Sequence, residues 1–109
     1  MDQKTVEDYV LSMPNTVREY PFGESVAVYK VNDKMFALMR EGVEPVQLSL
    51  KCEPELAKVL RQRYETILPG YHLNKKHWNT IILTGQLGRE EIQDFIRHSY
   101  YLVAPELLS

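Results

Sequence analysis

Apolar residues recur every three or four positions in three segments of the chain, a spacing typical of helices that bury one face. In the first segment Asp2 occupies a capping position and Pro14 ends the run. In the second, Pro54 takes the first helical position, where its missing N–H costs nothing. The third runs from Arg89 to about Val103. The pattern predicts three helices with buried positions Val6, Tyr9, Val10 and Met13, then Leu56, Val59, Leu60 and Tyr64, and then Ile92, Phe95, Ile96 and Val103.

Apolar and polar residues alternate with period two between the first two helices, which is typical of strands with one buried and one wet face. Strands are predicted at 25–31, 34–40 and 46–51, with Asn32-Asp33 as a two-residue hairpin turn because both residues tolerate positive φ. Residues 16–24 are interpreted as a connection, and 80–84 as a short strand. The order α-β-β-β-α-(β)-β-α, with one optional strand, predicts a two-layer α+β domain of residues 1–109, with helices on one face of an antiparallel sheet.

The composition is that of an ordinary globular chain. Of 109 residues, 44% are hydrophobic and 26% are charged, close to the usual values. No apolar run approaches the roughly 18 residues of a membrane span. The N-terminal sequence lacks the basic start and apolar stretch of a signal peptide. Cys52 is the only cysteine, which excludes an internal disulfide and a cysteine-based zinc cluster. These features predict a cytoplasmic protein with no membrane partner.

Charge is distributed unevenly along the chain. The formal net charge is −2, whereas non-specific nucleic-acid binders are usually basic overall. Residues 51–77 nevertheless hold six basic and three acidic side chains. This segment therefore carries a local positive field suited to an anionic partner. Its basic residues are Lys51, Lys58, Arg61, Arg63, Lys75 and Lys76, and its acidic residues are Glu53, Glu55 and Glu65.

Residues 70–80 read GYHLNKKHWNT and concentrate more potential chemistry than any other stretch. Lysines neutralise phosphates, Asn side chains hydrogen-bond to phosphates or bases, and a tryptophan can stack on bases. Large aromatic side chains are usually highly buried, which favours Trp78 as an anchor that joins the loop to the next strand. If Asn74 caps a turn over residues 75–78, free N–H groups there would add an anion site.

Four segments of the chain carry a resemblance to a known family. They are FGE at 22–24, KMFAL at 34–38, LSLKCEPELAKVLRQRY at 48–64 and PGYHLNKKHWNTIIL at 69–83. In these segments the chain resembles the MmcQ/YjbR family of small bacterial proteins. The resemblance implies a frataxin-like (CyaY-like) α+β fold. It also implies DNA binding, because the fold is similar to a "double-wing" DNA-binding shape.

Metal binding is not favoured by the ligand count. Zinc needs three or four ligands, and His72 and His77 offer two, with Lys75 and Lys76 between them repelling a cation. The remaining histidine, His98, lies in another element. An iron site would need an acidic ridge of hard oxygen ligands, and the first helix supplies only Asp2, Glu7 and Asp8. We therefore expect no metal and no cofactor.

The sequence contains candidate nucleophiles for catalysis but does not show a base paired with either of them. Ser49 and Cys52 are near the two histidines in sequence, but no spacing indicates that their side chains come into contact in the fold. A cysteine before a helix start can have its pKa lowered by the helix N-terminus. The simpler interpretation of Cys52 is a small, partly buried side chain. The sequence thus predicts a protein that is not an enzyme.

The leading hypothesis is a DNA-binding domain that uses the basic segment 51–77, with the second helix presenting Lys58 and Arg61 to solvent. The alternatives are a protein-interaction adaptor, or a ligand-binding domain that uses a cleft beside the 70–80 stretch. A contiguous positive face would favour DNA, whereas scattered or paired charges would favour the adaptor. The predicted contact residues are Lys51, Lys58, Arg61, His72, Asn74, Lys75, Lys76 and His77.

Overall fold

The computed structural model describes residues 2–108 and consists of three helices that pack on an antiparallel sheet. No helix in this part of the chain is long and apolar enough to cross a membrane. The elements in chain order are α1 (Gln3–Ser12), β1 (Val17–Glu19), β2 (Val26–Val31), β3 (Lys34–Arg40), β4 (Gln47–Lys51), α2 (Pro54–Arg63), β5 (Ile67–Pro69), β6 (Trp78–Ile82), α3 (Arg89–Val103) and a short 3₁₀ helix (Pro105–Leu107).

Within residues 2–108 the sheet has six strands in the order β1-β2-β3-β4-β6-β5, and every neighbouring pair is antiparallel. The predicted α+β class, the antiparallel sheet and the optional strand, now β5, are confirmed. The interpretation of 16–24 as a simple connection is wrong, because Val17–Glu19 forms the edge strand β1. The likeness to the frataxin-like class stays a prediction.

The main core lies between the helices and one face of the sheet. Val6 and Val10 of α1, and Ile92 and Ile96 of α3, are buried there as the spacing predicted. The α2 stripe needs one correction, because Val59 is 53% exposed and Ala57 is buried instead. Strand residues on this face include Ala27, Tyr29, Met39, Leu48 and Ile81.

The opposite face of the sheet carries no helix, and we call it the open face. The sequence predicted that this face is exposed to water, and that prediction is wrong at the centre of the face. Val28, Leu38 and Trp78 are buried there as a second, small apolar cluster, with Leu73 packed against it. A loop that follows β5 folds back over the sheet at this point, so the open face is partly covered by chain rather than by helix.

The hairpin between β2 and β3 forms as predicted. Asn32 and Asp33 have φ values of 51° and 65°, the left-handed conformation that a two-residue hairpin turn requires. A bulge between Tyr29 and Lys30 shifts the register by one residue beyond this turn, so that Val28 faces Leu38 across β2 and β3. Both side chains therefore lie on the open face, where they form the base of the surface described next.

Candidate functional site

Residues 70–77 form a compact loop, the basic loop, that is closed at its two ends. The Gly70 N–H donates to the Trp78 carbonyl at 2.9 Å. The Trp78 side chain is only 5% exposed and packs in the open-face cluster. Trp78 is therefore the structural anchor that the sequence predicted. Gly70 has to be glycine here, because a Cβ at this position would lie 2.7 Å from the Trp78 Cβ.

The turn at the tip of the basic loop is built around Asn74. Its Oδ1 accepts a hydrogen bond from the Lys76 N–H at 2.9 Å, and its carbonyl accepts one from the His77 N–H at 3.2 Å. Residues 75–77 form a turn rather than a helix. Asn74 thus closes this turn with its side chain, but the predicted helical turn over residues 75–78 does not form. His72, Lys76 and His77 are exposed on this loop.

Arg61 does not point into solvent as predicted. Its Nε donates to Asn79 Oδ1 at 2.6 Å, and its Nη2 donates to the carbonyls of Lys75 and Trp78. The aliphatic stem of an arginine is long enough to carry the guanidinium from a helix onto a neighbouring loop. Arg61 therefore supports the basic loop from behind, and the expectation of an outward-facing Arg61 is wrong.

The other basic residues predicted to make contacts have different surroundings. Lys58 is exposed, as predicted, but its Nζ lies 3.9 Å from Glu55 Oε1. The Lys75 Nζ donates to the Gly70 carbonyl at 2.9 Å. Lys51 is partly buried and lies opposite Trp78 across β4 and β6. The structure thus brings His72, Asn74, Lys75, Lys76 and His77 together on one loop, places Lys51 on the strand next to the end of this loop, and leaves Lys58 on α2.

The single cysteine is not an activated nucleophile. Cys52 is buried, and burial raises the pKa of its thiol to about 11, with the charge of Glu53 acting in the same direction. The thiol therefore stays protonated at neutral pH, which contradicts the hypothesis of a lowered pKa. Its N–H donates to the His77 carbonyl at 2.8 Å, so the contact between these residues is made by backbone atoms. Within residues 2–108, no group of three or more His, Cys, Asp or Glu side chains is placed to hold a metal ion.

A cavity of about 280 Å³ opens on the open face, between the basic loop and the segment that joins β1 to β2. Its base is formed by side chains of four strands, and its sides by the two loops. The walls are mainly apolar. The lining residues are Phe22, Val26, Leu38, Arg40, Gln47, Ser49, Tyr71, His72, Leu73 and Thr80.

Two hydroxyl groups form the polar part of the cavity base. Ser49 and Thr80 are 9% and 4% exposed, and their oxygen atoms lie 2.8 Å apart. Thr80 Oγ1 also accepts a hydrogen bond from the Tyr71 N–H at 3.1 Å. Each hydroxyl has one hydrogen to donate, and the bond between them uses one of the two. Both hydroxyl groups line the cavity and so supply the polar part of its base.

The cavity mouth is rich in aromatic rings. Phe22 is 64% exposed and Tyr71 is 55% exposed. The Tyr71 ring lies 4.1 Å from the His72 ring, and the Arg40 guanidinium carbon lies 5.3 Å from the Tyr71 ring centroid. His72 has a φ of 56°, an uncommon conformation for a residue with a side chain. Exposed aromatic groups around a concave apolar surface are a feature of binding sites.

Among the residues that line this cavity, sequence reasoning singled out His72 as a contact residue and considered Ser49 only as a candidate nucleophile. Two sequence features could have indicated this surface. One is the pair of small polar residues Ser49 and Thr80 on predicted strands. The other is Phe22, a large aromatic residue next to a glycine in a connecting segment. Arg40 gave no signal of its own, since it ends a strand like many surface arginines.

Comparison with known proteins places the chain in a family. A model of the YjbR family matches residues 11–102, a span that includes both loops of the cavity. The uncharacterised protein YjbR of Escherichia coli K12 is 35% identical over 92 residues, covering 84% of this chain and 78% of that protein. The uncharacterised protein YbdF of Escherichia coli O157:H7 is 32% identical over 104 residues, covering 95% and 85%.

Solved structures agree with this assignment. The crystal structure of Deinococcus radiodurans protein DR2400 is similar with a TM-score of 0.90 at 36% identity, covering 94% of this chain and 78% of that one. The sequence resemblance noted at residues 22–24, 34–38, 48–64 and 69–83 is thereby confirmed. The chain belongs to the YjbR family.

Proposed function

We propose that the protein is a non-enzymatic binding domain whose ligand is a small, largely apolar molecule held in the open-face cavity. The observation that carries this proposal is the combination of mainly apolar walls with a pair of hydroxyl groups at the base, those of Ser49 and Thr80. A ligand can pack its apolar body on these walls and hydrogen-bond to the hydroxyl pair, the arrangement of apolar lining with few polar groups that is typical of small-molecule sites.

The size of the cavity limits the ligand. A dry cavity of about 150 Å³ accommodates benzene, and the cavity here is about 280 Å³. Sites for drug-sized molecules begin at about 300 Å³. A compact ligand of about two rings therefore fits, whereas a large cofactor does not.

The chemistry of the side chains supports binding rather than catalysis. The Cys52 thiol is held in its protonated form by burial. The Ser49 hydroxyl is hydrogen-bonded to Thr80, and within residues 2–108 no histidine nitrogen contacts it. A serine nucleophile needs an adjacent base. Neither residue is arranged as an activated nucleophile.

The proposal is tested by titrating the protein with 2-acetylnaphthalene and following amide chemical shifts by NMR. This probe has two rings, no charge and one carbonyl acceptor. Saturable shifts are expected around Ser49, Thr80 and the loop at Tyr71. Val26→Phe adds bulk to a residue of the cavity base and is expected to abolish the shifts. The matched control Val17→Phe changes an exposed residue of β1 outside the cavity and is expected to preserve them.

Two results would contradict the proposal. One is the lack of saturable shifts with any two-ring probe in the unmodified protein. The other is binding that Val26→Phe leaves unchanged, because the probe would then occupy another surface.

DNA binding by the basic loop is a second candidate function. It is favoured by the exposure of His72, Lys76 and His77 on one turn, where none of their side chains forms an ion pair within residues 2–108. A fluorescence titration with duplex and single-stranded DNA at two salt concentrations tests it. Lys75→Ala with Lys76→Ala is expected to weaken binding and reduce the salt slope by roughly one to two units. The lack of any DNA binding at low salt would leave the adaptor alternative in its place.

A further inference from the structure

The mouth of the cavity carries a cation without an acidic partner. Arg40 is exposed at the end of β3 and lines the cavity. Within residues 2–108 it forms no ion pair. The adjacent acid, Glu41, instead accepts a hydrogen bond from the Tyr20 hydroxyl at 2.6 Å. The contact of the Arg40 guanidinium with the Tyr71 ring, 5.3 Å from the centroid, orients the charge without neutralising it.

We propose that the ligand of the open-face cavity is a planar aromatic carboxylate of about two rings, whose carboxylate pairs with Arg40. This inference rests on the proposed binding function and specifies the ligand class. An arginine guanidinium binds a carboxylate through two parallel hydrogen bonds. One unpaired cation matches one negative charge, which favours a carboxylate over a doubly charged phosphate.

The aromatic side chains at the mouth explain why the ligand body is flat. Phe22 lies on one loop, and Tyr71 and His72 lie on the other. Aromatic rings pack on one another in stacked or edge-to-face arrangements, and such surfaces select planar ligands. A flexible aliphatic chain of the same volume would lose more rotational freedom on binding.

The two polar groups of the cavity lie on adjacent strands. Arg40 pairs with Gln47 across β3 and β4, and Ser49 lies two residues further along β4. The backbones of such diagonal neighbours lie roughly 7–8 Å apart, and the Arg40 side chain extends from there over the Tyr71 ring. A two-ring ligand can therefore place its carboxylate at Arg40 and its ring edge at the Ser49–Thr80 hydroxyl pair.

A matched pair of probes tests the inference. Naphthalene-2-carboxylate and 2-acetylnaphthalene have nearly the same shape and differ in charge. Their dissociation constants are measured by calorimetry or NMR near neutral pH. We expect the carboxylate to bind about tenfold more tightly or better, as a charge-assisted hydrogen bond predicts. Added salt should weaken the binding of the carboxylate and leave the binding of the ketone unchanged.

Arg40→Gln should remove the preference, lowering the carboxylate affinity about tenfold more than it lowers the ketone affinity. Arg40→Lys keeps the charge and should retain part of the preference. The control is Arg63→Gln, because Arg63 also lies over a neighbouring tyrosine ring, at 5.6 Å from the Tyr64 centroid, but belongs to α2 on the other side of the sheet. This control should bind both probes like the unmodified protein.

The possible results separate the two proposals. If neither probe binds, the proposed function fails. If both bind equally, the domain binds small apolar ligands and the inference about the anion is wrong. If Arg40→Gln weakens both probes equally, Arg40 acts only by shaping the wall, which also overturns the inference. Tighter binding of 2-naphthyl phosphate than of the carboxylate would replace the carboxylate with a phosphate as the ligand class.

Discussion

Arg61 of α2 donates a hydrogen bond of 2.6 Å from its Nε to Oδ1 of Asn79 on β6. Asn79 is 3% exposed, and its Nδ2 in turn donates to the Ala57 carbonyl of α2 at 3.4 Å. The same guanidinium donates to the carbonyls of Lys75 and Trp78. One side chain therefore connects helix, strand and loop, and it holds in place the loop that forms one side of the cavity.

We expect Arg61→Met to destabilise the protein by about 1–3 kcal/mol, because it leaves the buried Asn79 oxygen without a donor. Lys58→Met, one turn earlier on the same helix, changes an exposed residue and should stay within about 0.5 kcal/mol. Urea denaturation of the two variants makes the comparison. Equal stabilities would mean that the Arg61 contacts contribute nothing to the fold.

The helices and the central strands were predictable because their apolar positions repeat regularly. Val6, Val10, Ile92 and Ile96 are buried where the helical period places them. Strand β1 was missed because all three of its residues are exposed and show no alternation. An edge strand held by backbone hydrogen bonds on one side leaves no such signature in the sequence.

The candidate site was only partly predictable, because it joins distant parts of the chain. The 70–80 stretch was recognised from its residue types, and Trp78 was interpreted correctly. Helical position alone indicated that Arg61 faces solvent, since it does not reveal where a long side chain ends. The cavity depends on Phe22 and Tyr71 lying on opposite sides of Ser49, a relationship that only the strand order β3-β4-β6 creates.

Trp78→Ala should cost about 3 kcal/mol or more, because it removes the largest side chain of the open-face cluster and leaves a cavity beside Val28 and Leu38. The control Lys76→Ala alters an exposed side chain on the same loop and should stay within about 0.5 kcal/mol. Thermal or urea unfolding measures both. A small effect of Trp78→Ala would show that the ring is not the anchor of the loop.

Gly70→Ala is expected to destabilise the protein by about 1–3 kcal/mol, as overpacking does. The new Cβ would lie 2.7 Å from the Trp78 Cβ, at the root of the side chain where no rotation relieves the contact. The control is Gly88→Ala at the start of α3, where the nearest atom to a new Cβ is Glu91 Oε1 at 3.7 Å. Its cost should not exceed about 1 kcal/mol. Equal losses for both variants would mean that the close approach at Gly70 is not a constraint.

His98 should make the stability of the protein depend on pH. Its Nε2 accepts a hydrogen bond from the Glu53 N–H at 3.2 Å, which requires an unprotonated nitrogen. Burial lowers the pKa of His98 below its usual 6.5, and the nearby Glu53 charge opposes this shift without reversing it. The folded chain thus binds fewer protons than the unfolded chain between the lowered pKa and 6.5. The contribution of the neutral His98 to the free energy of unfolding should therefore be fully present above about pH 6.5 and should fall as the pH decreases through this window.

His98→Gln provides the test, because a glutamine oxygen accepts from the Glu53 N–H but does not titrate. The difference in unfolding free energy between the unmodified protein and this variant is measured by urea denaturation at about pH 7.5 and pH 5.5. Carboxylates titrate in both proteins and cancel, so the unmodified protein should lose stability relative to His98→Gln at the lower pH. His77→Gln, at an exposed residue of the basic loop, should remain within about 0.5 kcal/mol of the unmodified protein. A difference for His98→Gln that is identical at both pH values would show that its hydrogen bond to Glu53 does not control its protonation.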